Sequence, residues 1–95
     1  MKVIWGLRAR RDLAELNAYL SEDSAEAAEG VARRILKAAE SLGKMPRMGR
    51  IGRVKATRER VVRKTPYILA YRIASGRIRI LRVFHGARRW PARFD

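Results

Sequence analysis

The hydrophobic period of this 95-residue chain changes once, between residues 43 and 57, and this change restricts the possible folds more than any other feature. Up to Leu42 the apolar residues recur every three or four positions, which is typical of amphipathic helices. From Arg58 onward they largely alternate, which is typical of strands in a half-buried sheet. Helices followed by consecutive strands indicate an α+β domain, in which the helices cover one face of a mainly antiparallel sheet.

Capping and turn residues set the predicted boundaries in the first half of the chain. Lys2–Trp5 is a short β-prone run and is predicted to be a strand. Two helices are expected next, the first from Arg8 to about Leu20 and the second beginning after Ser24, which can act as the N-cap. Gly43 is expected to end the second helix. A short polar turn between the helices makes them an antiparallel hairpin.

The second half of the chain predicts three strands. Lys44–Gly52 holds one proline and two glycines in nine residues, so it is interpreted as a connector. The first strand is expected at Arg53–Lys55, continuing after an interruption as Arg58–Arg63 and lying at an edge of the sheet. The other two are expected at Tyr67–Ile73 and Arg77–Phe84, joined by a tight turn at Ala74–Gly76. The last strand, apolar on both faces at Ile80 and Leu81, should be the best buried. The predicted order is β-α-α-β-β-β in a single domain, residues 1–95.

Composition excludes several classes of function. Cysteine is absent, which excludes disulfide scaffolds, zinc–thiolate sites and thiol nucleophiles. His85 is the single histidine and no carboxylate cluster accompanies it, so neither a metal site nor a cofactor is expected. No apolar run approaches the roughly 20 residues that span a bilayer. The chain is therefore expected to be cytoplasmic, with no membrane partner.

The charge of the chain is concentrated in its second half. The formal net charge is +14, and residues 45–95 carry 15 basic residues against only Glu59 and Asp95. Residues 1–44, in contrast, carry eight basic and seven acidic residues. A positive field confined to one half indicates an acidic partner, which would be a nucleic acid, an anionic surface or an acidic protein segment.

An ordered set of segments resembles the ParE branch of the RelE/ParE superfamily of bacterial toxins. The resemblance spans nearly the whole chain and is carried by the order of the segments rather than by any one of them. They are Trp5, Ala9–Leu13, Ala27–Ala28, Ile35, Leu42, Met45–Arg50, Thr57–Val62, Pro66–Arg72 and Ile80–Arg88.

This resemblance implies a small basic toxin of a type II toxin–antitoxin module. Such a toxin inhibits growth, can contribute to plasmid stabilisation, and is neutralised by a co-expressed, ParD-like antitoxin whose acidic C-terminal segment wraps around it. That partner agrees with the charge asymmetry. In the family, ParE-like members inhibit DNA gyrase without known catalysis of their own, whereas RelE-like members enter the ribosome and cleave messenger RNA.

Three aligned positions favour the gyrase branch. RelE-like ribonucleases cleave RNA with lysines and arginines on the central strands, and the comparable positions here hold Glu59, Val61 and Ile68. The predicted function is therefore a non-enzymatic toxin that binds gyrase, with no catalytic residue. The alternative is a ribosome-dependent endoribonuclease in which His85, Arg82 and Arg88 supply a base and a phosphate clamp. A third class, a plain nucleic-acid-binding module, would use the basic half directly.

The residues expected to bind antitoxin or target are mainly arginines of the basic half. They are Arg58, Arg60, Arg63, Arg72, Arg82, Arg88, Arg89 and Trp90. A solvated charge run, a strand edge open to antitoxin strand addition, and a Trp90 that folds back over the helices remain alternatives for these residues. His85 can equally be a structural hydrogen-bonding residue. Trp5, Leu13, Leu16, Ile35, Leu42, Tyr67 and Tyr71 are assigned to the core.

Overall fold

The computed structural model describes residues 1–94, so Asp95 lies outside the described residues. Two helices pack on one face of a five-stranded sheet whose order is β1-β5-β4-β3-β2. β1 pairs with β5 in parallel, and the remaining pairs are antiparallel. This arrangement confirms the predicted α+β class with a helical hairpin on a mainly antiparallel sheet. The elements are β1 (Lys2–Trp5), α1 (Leu7–Ser21), α2 (Ala25–Lys44), β2 (Arg50–Ile51), β3 (Arg58–Val61), β4 (Tyr67–Ala74) and β5 (Arg77–His85).

The hydrophobic core lies between the helical hairpin and the sheet. Its large, fully buried side chains include Ile35 and Leu42 of α2, Tyr71 of β4 and Ile80 of β5. The other predicted core residues behave as follows: Leu16 and Tyr67 are buried, while Trp5 and Leu13 are partly buried and pack against the core. We call the sheet surface that meets the helices the helix face, and the opposite surface the outer face.

The ends of α2 show one confirmed cap and one wrong boundary. The Ser24 hydroxyl accepts a hydrogen bond from the backbone N–H of Ala27 at 3.1 Å, as expected of an N-cap. Gly43 does not end the helix, which continues through Lys44. A Cβ at Gly43 would lie 2.6 Å from the carbonyl oxygen of Met1. This glycine therefore serves the close approach of the N-terminal strand to α2 rather than helix termination.

The connector between α2 and the sheet departs from prediction at both of its ends. Arg50–Ile51 forms the two-residue edge strand β2, which pairs with Glu59 and Arg58 of β3. The prediction of strand at Arg53–Lys55 was wrong, because residues 53–56 form a turn in which Ala56 has a φ of 63°. The prediction that the Arg58 strand lies at an edge of the sheet holds for its second half, because β2 covers Arg58 and Glu59 and leaves Arg60 and Val61 uncovered.

The better-buried of the two long strands is β4, whereas the sequence predicted the last strand, β5. Residues 67–71 of β4 are all buried because β4 is the middle strand of the sheet, whereas β5 alternates between buried and exposed positions. Leu81 is a bulge residue: Ala70 pairs with Arg82 and Tyr71 with Ile80, which leaves Leu81 unpaired. The adjacent apolar pair therefore marks an irregularity and not a doubly buried strand. The turn between β4 and β5 has positive φ at Ser75 and Gly76, which is typical of a two-residue hairpin turn.

The C-terminal tail, residues 86–94, folds over the outer face and not over the helices. The ring centroid of Trp90 lies 4.4 Å from that of Phe84, and the centroid of Phe94 lies 5.7 Å from Phe84. Phe84 pairs with Ile68 on the outer face, so the aromatic cluster covers one end of that surface. The alternative in which Trp90 folds back over the helices was therefore wrong.

Candidate functional site

The residues predicted to bind a partner are distributed over three surfaces instead of one. Arg60 and Arg63 lie beside α2, Arg72 lies on the outer face, and Arg88 lies with His85 at the end of β5. Arg58 is held locally, because its Nη1 donates to the carbonyl oxygen of Gly49 at 2.8 Å. Trp90 and Arg89 belong to the tail, where Arg89 is exposed.

A basic groove of about 410 Å³ separates α2 from the end of β3 and the following turn. Five cationic side chains line it, and no acidic residue does among those that the structure describes. They are Arg34, Lys37, Arg60, Arg63 and Lys64. The Nε of Arg60 is buried without a hydrogen-bond partner in the described part of the chain. Sequence reasoning missed Arg34 and Lys37, although their spacing of three places them on one side of a helix.

The outer face carries a second basic surface around a pocket of about 470 Å³. Five arginines line this pocket: Arg8, Arg72, Arg79, Arg82 and Arg93. The predicted binding residues included Arg72 and Arg82 and left out Arg8, Arg79 and Arg93. The alternation of arginine at positions 77 and 79 was the available signal, since residues two apart on a strand share a face.

Arg82 differs from its neighbours because it is held in a nearly buried ion pair. Its Nε and Nη2 donate to the two carboxylate oxygens of Asp12 at 2.7 and 3.0 Å, and the side chains are only 14% and 10% exposed. Asp12 Oδ2 also accepts the backbone N–H of Val83 at 2.9 Å. The Arg82 guanidinium carbon lies 4.4 Å from the centroid of Phe84. These contacts join α1 to β5 and occupy the guanidinium that the ribonuclease alternative requires.

His85 lies at the rim of a small pocket of about 260 Å³, lined also by Glu15, Tyr19, Tyr67 and Arg88. Its ring meets that of Tyr67 edge-on at 5.7 Å, and its Nδ1 accepts the backbone N–H of Ala87 at 3.2 Å. Burial, with a smaller contribution from Tyr19, raises the pKa of Tyr67, so its phenol stays protonated at neutral pH. The pocket thus combines the His85 ring and the donor groups of Tyr67 and Arg88 with the carboxylate of Glu15.

Glu59 is the buried acid of the outer face. Its side chain is 2% exposed, and it accepts hydrogen bonds from both Arg50 and Arg53. Burial alone raises its pKa, but the hydrogen bonds from the Arg53 backbone and side chain and from Arg50 outweigh burial, so the pKa lies below its ordinary value. The Arg53 guanidinium carbon also lies 3.9 Å from the centroid of the Trp90 ring. Glu59 therefore organises the contact between the connector and the tail.

An apolar groove of about 1070 Å³ lies between β1 and the two helices. Val3, Trp5, Leu13 and Leu36 contribute to its lining, and Leu36 is 48% exposed. Within residues 1–94, β1 pairs with no strand other than β5, so the far edge of β1 is open beside the groove. Sequence reasoning missed this surface because it depends on which edge of β1 is covered.

Two further structural observations concern classes of site. Within residues 1–94, no three histidine, aspartate or glutamate side chains are grouped so that they could hold a metal ion. Neither of the helices described is long and apolar enough to cross a membrane.

Comparison with known proteins gives concordant sequence matches. The family model described as ParE toxin of the type II toxin–antitoxin system parDE matches residues 3–90. The chain is 44% identical over 90 residues to the putative toxin Y4kP of Sinorhizobium fredii, covering 95% of this chain and 93% of that protein. It is 37% identical over 87 residues to toxin RelE2 of Caulobacter vibrioides, covering 92% and 97%.

Solved structures share the fold. A chain of the chromosomal ParDE system from P. aeruginosa superposes with a TM-score of 0.81 at 23% identity, covering 90% of this chain and 95% of that one. A chain of the RelBE2 toxin–antitoxin complex from Mycobacterium tuberculosis gives a TM-score of 0.63 at 28% identity, with coverage of 88% and 95%. The family model covers most of the chain, and two relatives exceed 30% identity. The chain therefore belongs to the ParE toxin family of type II toxin–antitoxin systems.

Proposed function

We propose that this toxin inhibits bacterial growth by binding DNA gyrase, and that a cognate antitoxin with an acidic C-terminal segment neutralises it. In this proposal residues 1–95 act as one toxin domain, with no cofactor and no catalytic residue of their own. The observation that carries the choice of target is the chemistry of the sheet positions where a ribonuclease of this superfamily needs cations.

Those three positions are unsuited to phosphoryl-transfer chemistry. Glu59 is a buried carboxylate already neutralised by two arginines. Val61 is an exposed aliphatic side chain, and Ile68 is buried against the outer face. Cleavage of RNA requires groups that stabilise negative charge on the phosphorane and transfer protons. A carboxylate repels the negative charge of the phosphorane, and the two aliphatic side chains can neither stabilise that charge nor transfer a proton. These three residues therefore favour a binding toxin over a nuclease.

The basic groove is the surface best suited to an acidic antitoxin segment. Its five cations have no acidic neighbour among the described lining residues, and guanidinium groups form bidentate hydrogen bonds with carboxylates. β2 pairs with Arg58 and Glu59, and no strand of the described chain covers the β3 edge at Arg60 and Val61 beside the groove. An extended peptide can add to such an edge through main-chain hydrogen bonds while its carboxylates reach the cations.

A ribosome-dependent ribonuclease is the second candidate, and the pocket of His85 favours it. His85 and Arg88 lie together on the rim of that pocket, next to the phenols of Tyr19 and Tyr67. In this candidate His85 moves the proton and Arg88 holds the phosphate. Arg82, the third residue of the set, would first have to leave its ion pair with Asp12.

Two purified reactions distinguish the candidates. The toxin is released from its antitoxin complex and added in parallel to a gyrase supercoiling assay and to a cell-free translation reaction with a defined messenger RNA. The proposal predicts loss of supercoiling or trapped DNA cleavage, intact transcript, and reversal by added antitoxin. His85→Ala should act like the parent chain on gyrase. Transcript cleavage that His85→Ala abolishes, with supercoiling unaffected, would establish the ribonuclease instead.

A further inference from the structure

The outer face holds a set of arginines that the fold itself does not need. We call Arg8, Arg72, Arg77 and Arg79 the arginine platform. Arg72 makes one long hydrogen bond, from its Nε to the carbonyl oxygen of Ala56 at 3.4 Å. The other three form no hydrogen bond or ion pair with a described residue, and all three are exposed. A set of unpaired guanidinium groups on one sheet face is available to an external anion.

The strand register brings the positive charges of this surface into direct opposition. Arg72 of β4 lies directly opposite Arg79 of β5, and Arg77 of β5 lies directly opposite Lys2 of β1. Tyr71, Ile78 and Ile80 face the core, so these intervening cations point to the outer face. Like charges directly opposite one another destabilise a sheet. An anion that lies across two adjacent pairs of this kind relieves their repulsion.

The acids near this face do not neutralise the platform. The pocket that Arg72 and Arg79 share has no acidic residue among its described lining. Glu59, on the same face, is fully engaged with Arg50 and Arg53. Asp12 is engaged with Arg82 at the pocket wall. The remaining acids of residues 1–94 lie on the helices or in the turn between them.

The position of the platform indicates the kind of anion. It lies on the face of paired strands, where the backbone groups are already satisfied, and its cations extend across β4, β5 and the start of α1. An acidic peptide that joins a sheet does so at an edge, where main-chain groups are free. A phosphate backbone needs only side-chain donors, and arginine contacts phosphate bidentately. The arrangement therefore fits a nucleic-acid backbone better than a peptide.

We propose that the arginine platform binds the phosphate backbone of nucleic acid. This inference deepens the proposed function, because a gyrase toxin with such a surface would hold the DNA substrate of its target directly. Binding does not depend on gyrase, so it can be measured on the full chain alone.

The test compares two double substitutions that each remove two positive charges, lowering the net charge from +14 to +12. Arg72→Gln with Arg79→Gln removes the opposed pair of the platform. Arg11→Gln with Arg47→Gln, both exposed and outside every surface described above, is the matched control. Fluorescence anisotropy is measured with a 20-base-pair DNA duplex, the same single strand, the corresponding RNA and a poly-glutamate peptide, at several salt concentrations.

The platform variant should bind nucleic acid at least 10-fold more weakly than the parent. The slope of log affinity against log salt should fall by about 1.8, since each lost phosphate contact removes about 0.9. The control should lose less than threefold. The three nucleic acids distinguish duplex from single-stranded sources of the phosphate. Thermal unfolding should show the platform variant to be no less stable than the parent, because a like-charge pair has been removed.

Three results would overturn the inference: no binding of the parent chain to any nucleic acid, equal losses in both double variants, or binding of poly-glutamate alone. Equal losses would mean that net charge and not the platform attracts DNA. The same proteins added to the supercoiling assay separate the two proposals. If the platform binds DNA but gyrase is not inhibited, this inference holds and the proposed function is refuted. If gyrase is inhibited but DNA is not bound, the proposed function holds and this inference is refuted.

Discussion

The ion pair between Asp12 and Arg82 should be the most consequential polar contact for the stability of this toxin. It joins residues 70 positions apart and holds α1 against the part of β5 that β1 does not cover. Asp12→Ala would leave the Arg82 guanidinium, 14% exposed, without its counter-charge and would also remove the acceptor of the Val83 N–H. The low exposure of both side chains limits how far water can replace these hydrogen bonds.

The expected cost follows from that burial. Removing one partner of a fully buried pair costs about 3–5 kcal/mol, and the slight exposure here reduces this to about 3 kcal/mol. A domain of this size has a free energy of unfolding of roughly 5–14 kcal/mol, so the variant still folds. The melting temperature should fall by roughly 12–24 °C. Asp12→Asn keeps an acceptor for Val83 and should cost about half as much.

Urea unfolding followed by circular dichroism measures these differences. Glu29→Ala is the matched control, because Glu29 forms an ion pair with Arg33 whose side chains are 74% and 72% exposed. That variant should lose no more than about 0.5 kcal/mol. Asp12→Ala combined with Arg82→Met should recover part of the loss, since it removes the uncompensated charge. If Asp12→Ala costs no more than Glu29→Ala, Arg82 is not held as described and becomes available to a ligand.

Three further perturbations have defined outcomes. Because hydrogen bonds lower the pKa of Glu59, this carboxylate stabilises the fold fully above its ordinary pKa of 4.5, and the stabilisation is lost as the pH falls through the lower folded value. Glu59→Gln should therefore unfold more easily than the parent at pH 7 and lose less stability on acidification. Urea titrations at several pH values would show both effects. Tyr71→Phe removes a hydroxyl that accepts the Gly49 N–H at 3.0 Å and donates to Pro46, so chemical denaturation should show a loss of about 1–3 kcal/mol. Trp90→Ala should increase proteolytic cleavage of the tail while leaving the melting temperature within a few degrees, and a large drop in melting temperature would mean that the tail is part of the core.

Local signals in the sequence were sufficient for the elements that depend on local structure. The strand Lys2–Trp5 has the predicted bounds, and Ser24 caps α2 as its position before an amphipathic helix suggests. Tyr67 and Tyr71 lie in the core because a period of two on a central strand places them on the helix face. In each case the neighbours within four residues carry the information.

Features that depend on distant residues could not be predicted from the sequence. β2 is two residues long and exists only because β3 offers Arg58 and Glu59 as partners. The bulge at Leu81 appears in the sequence as an ordinary apolar pair. The arginine platform requires the exact register of β4 on β5, since a shift of one residue would move its charges to the helix face.

The sequence indicated the chemical character of the candidate site but not the positions of its residues in space. Composition alone gave a basic surface and an acidic partner, and the structure divides that surface between the basic groove and the arginine platform. The role of Arg82 illustrates why residue type is insufficient. Its partner Asp12 is 70 residues away in the sequence, and only the packing of α1 on β5 brings the two together.

Expression of this chain from a tightly controlled promoter in a bacterial host tests the proposed target most directly. The DNA damage response and the integrity of messenger RNA are followed in the same culture, with and without the antitoxin. Gyrase inhibition predicts induction of the damage response, intact transcripts, rescue by antitoxin and unchanged toxicity of His85→Ala. Rapid cleavage of transcripts without a damage response, abolished by His85→Ala, would contradict it and establish the pocket of His85 as a ribonuclease site.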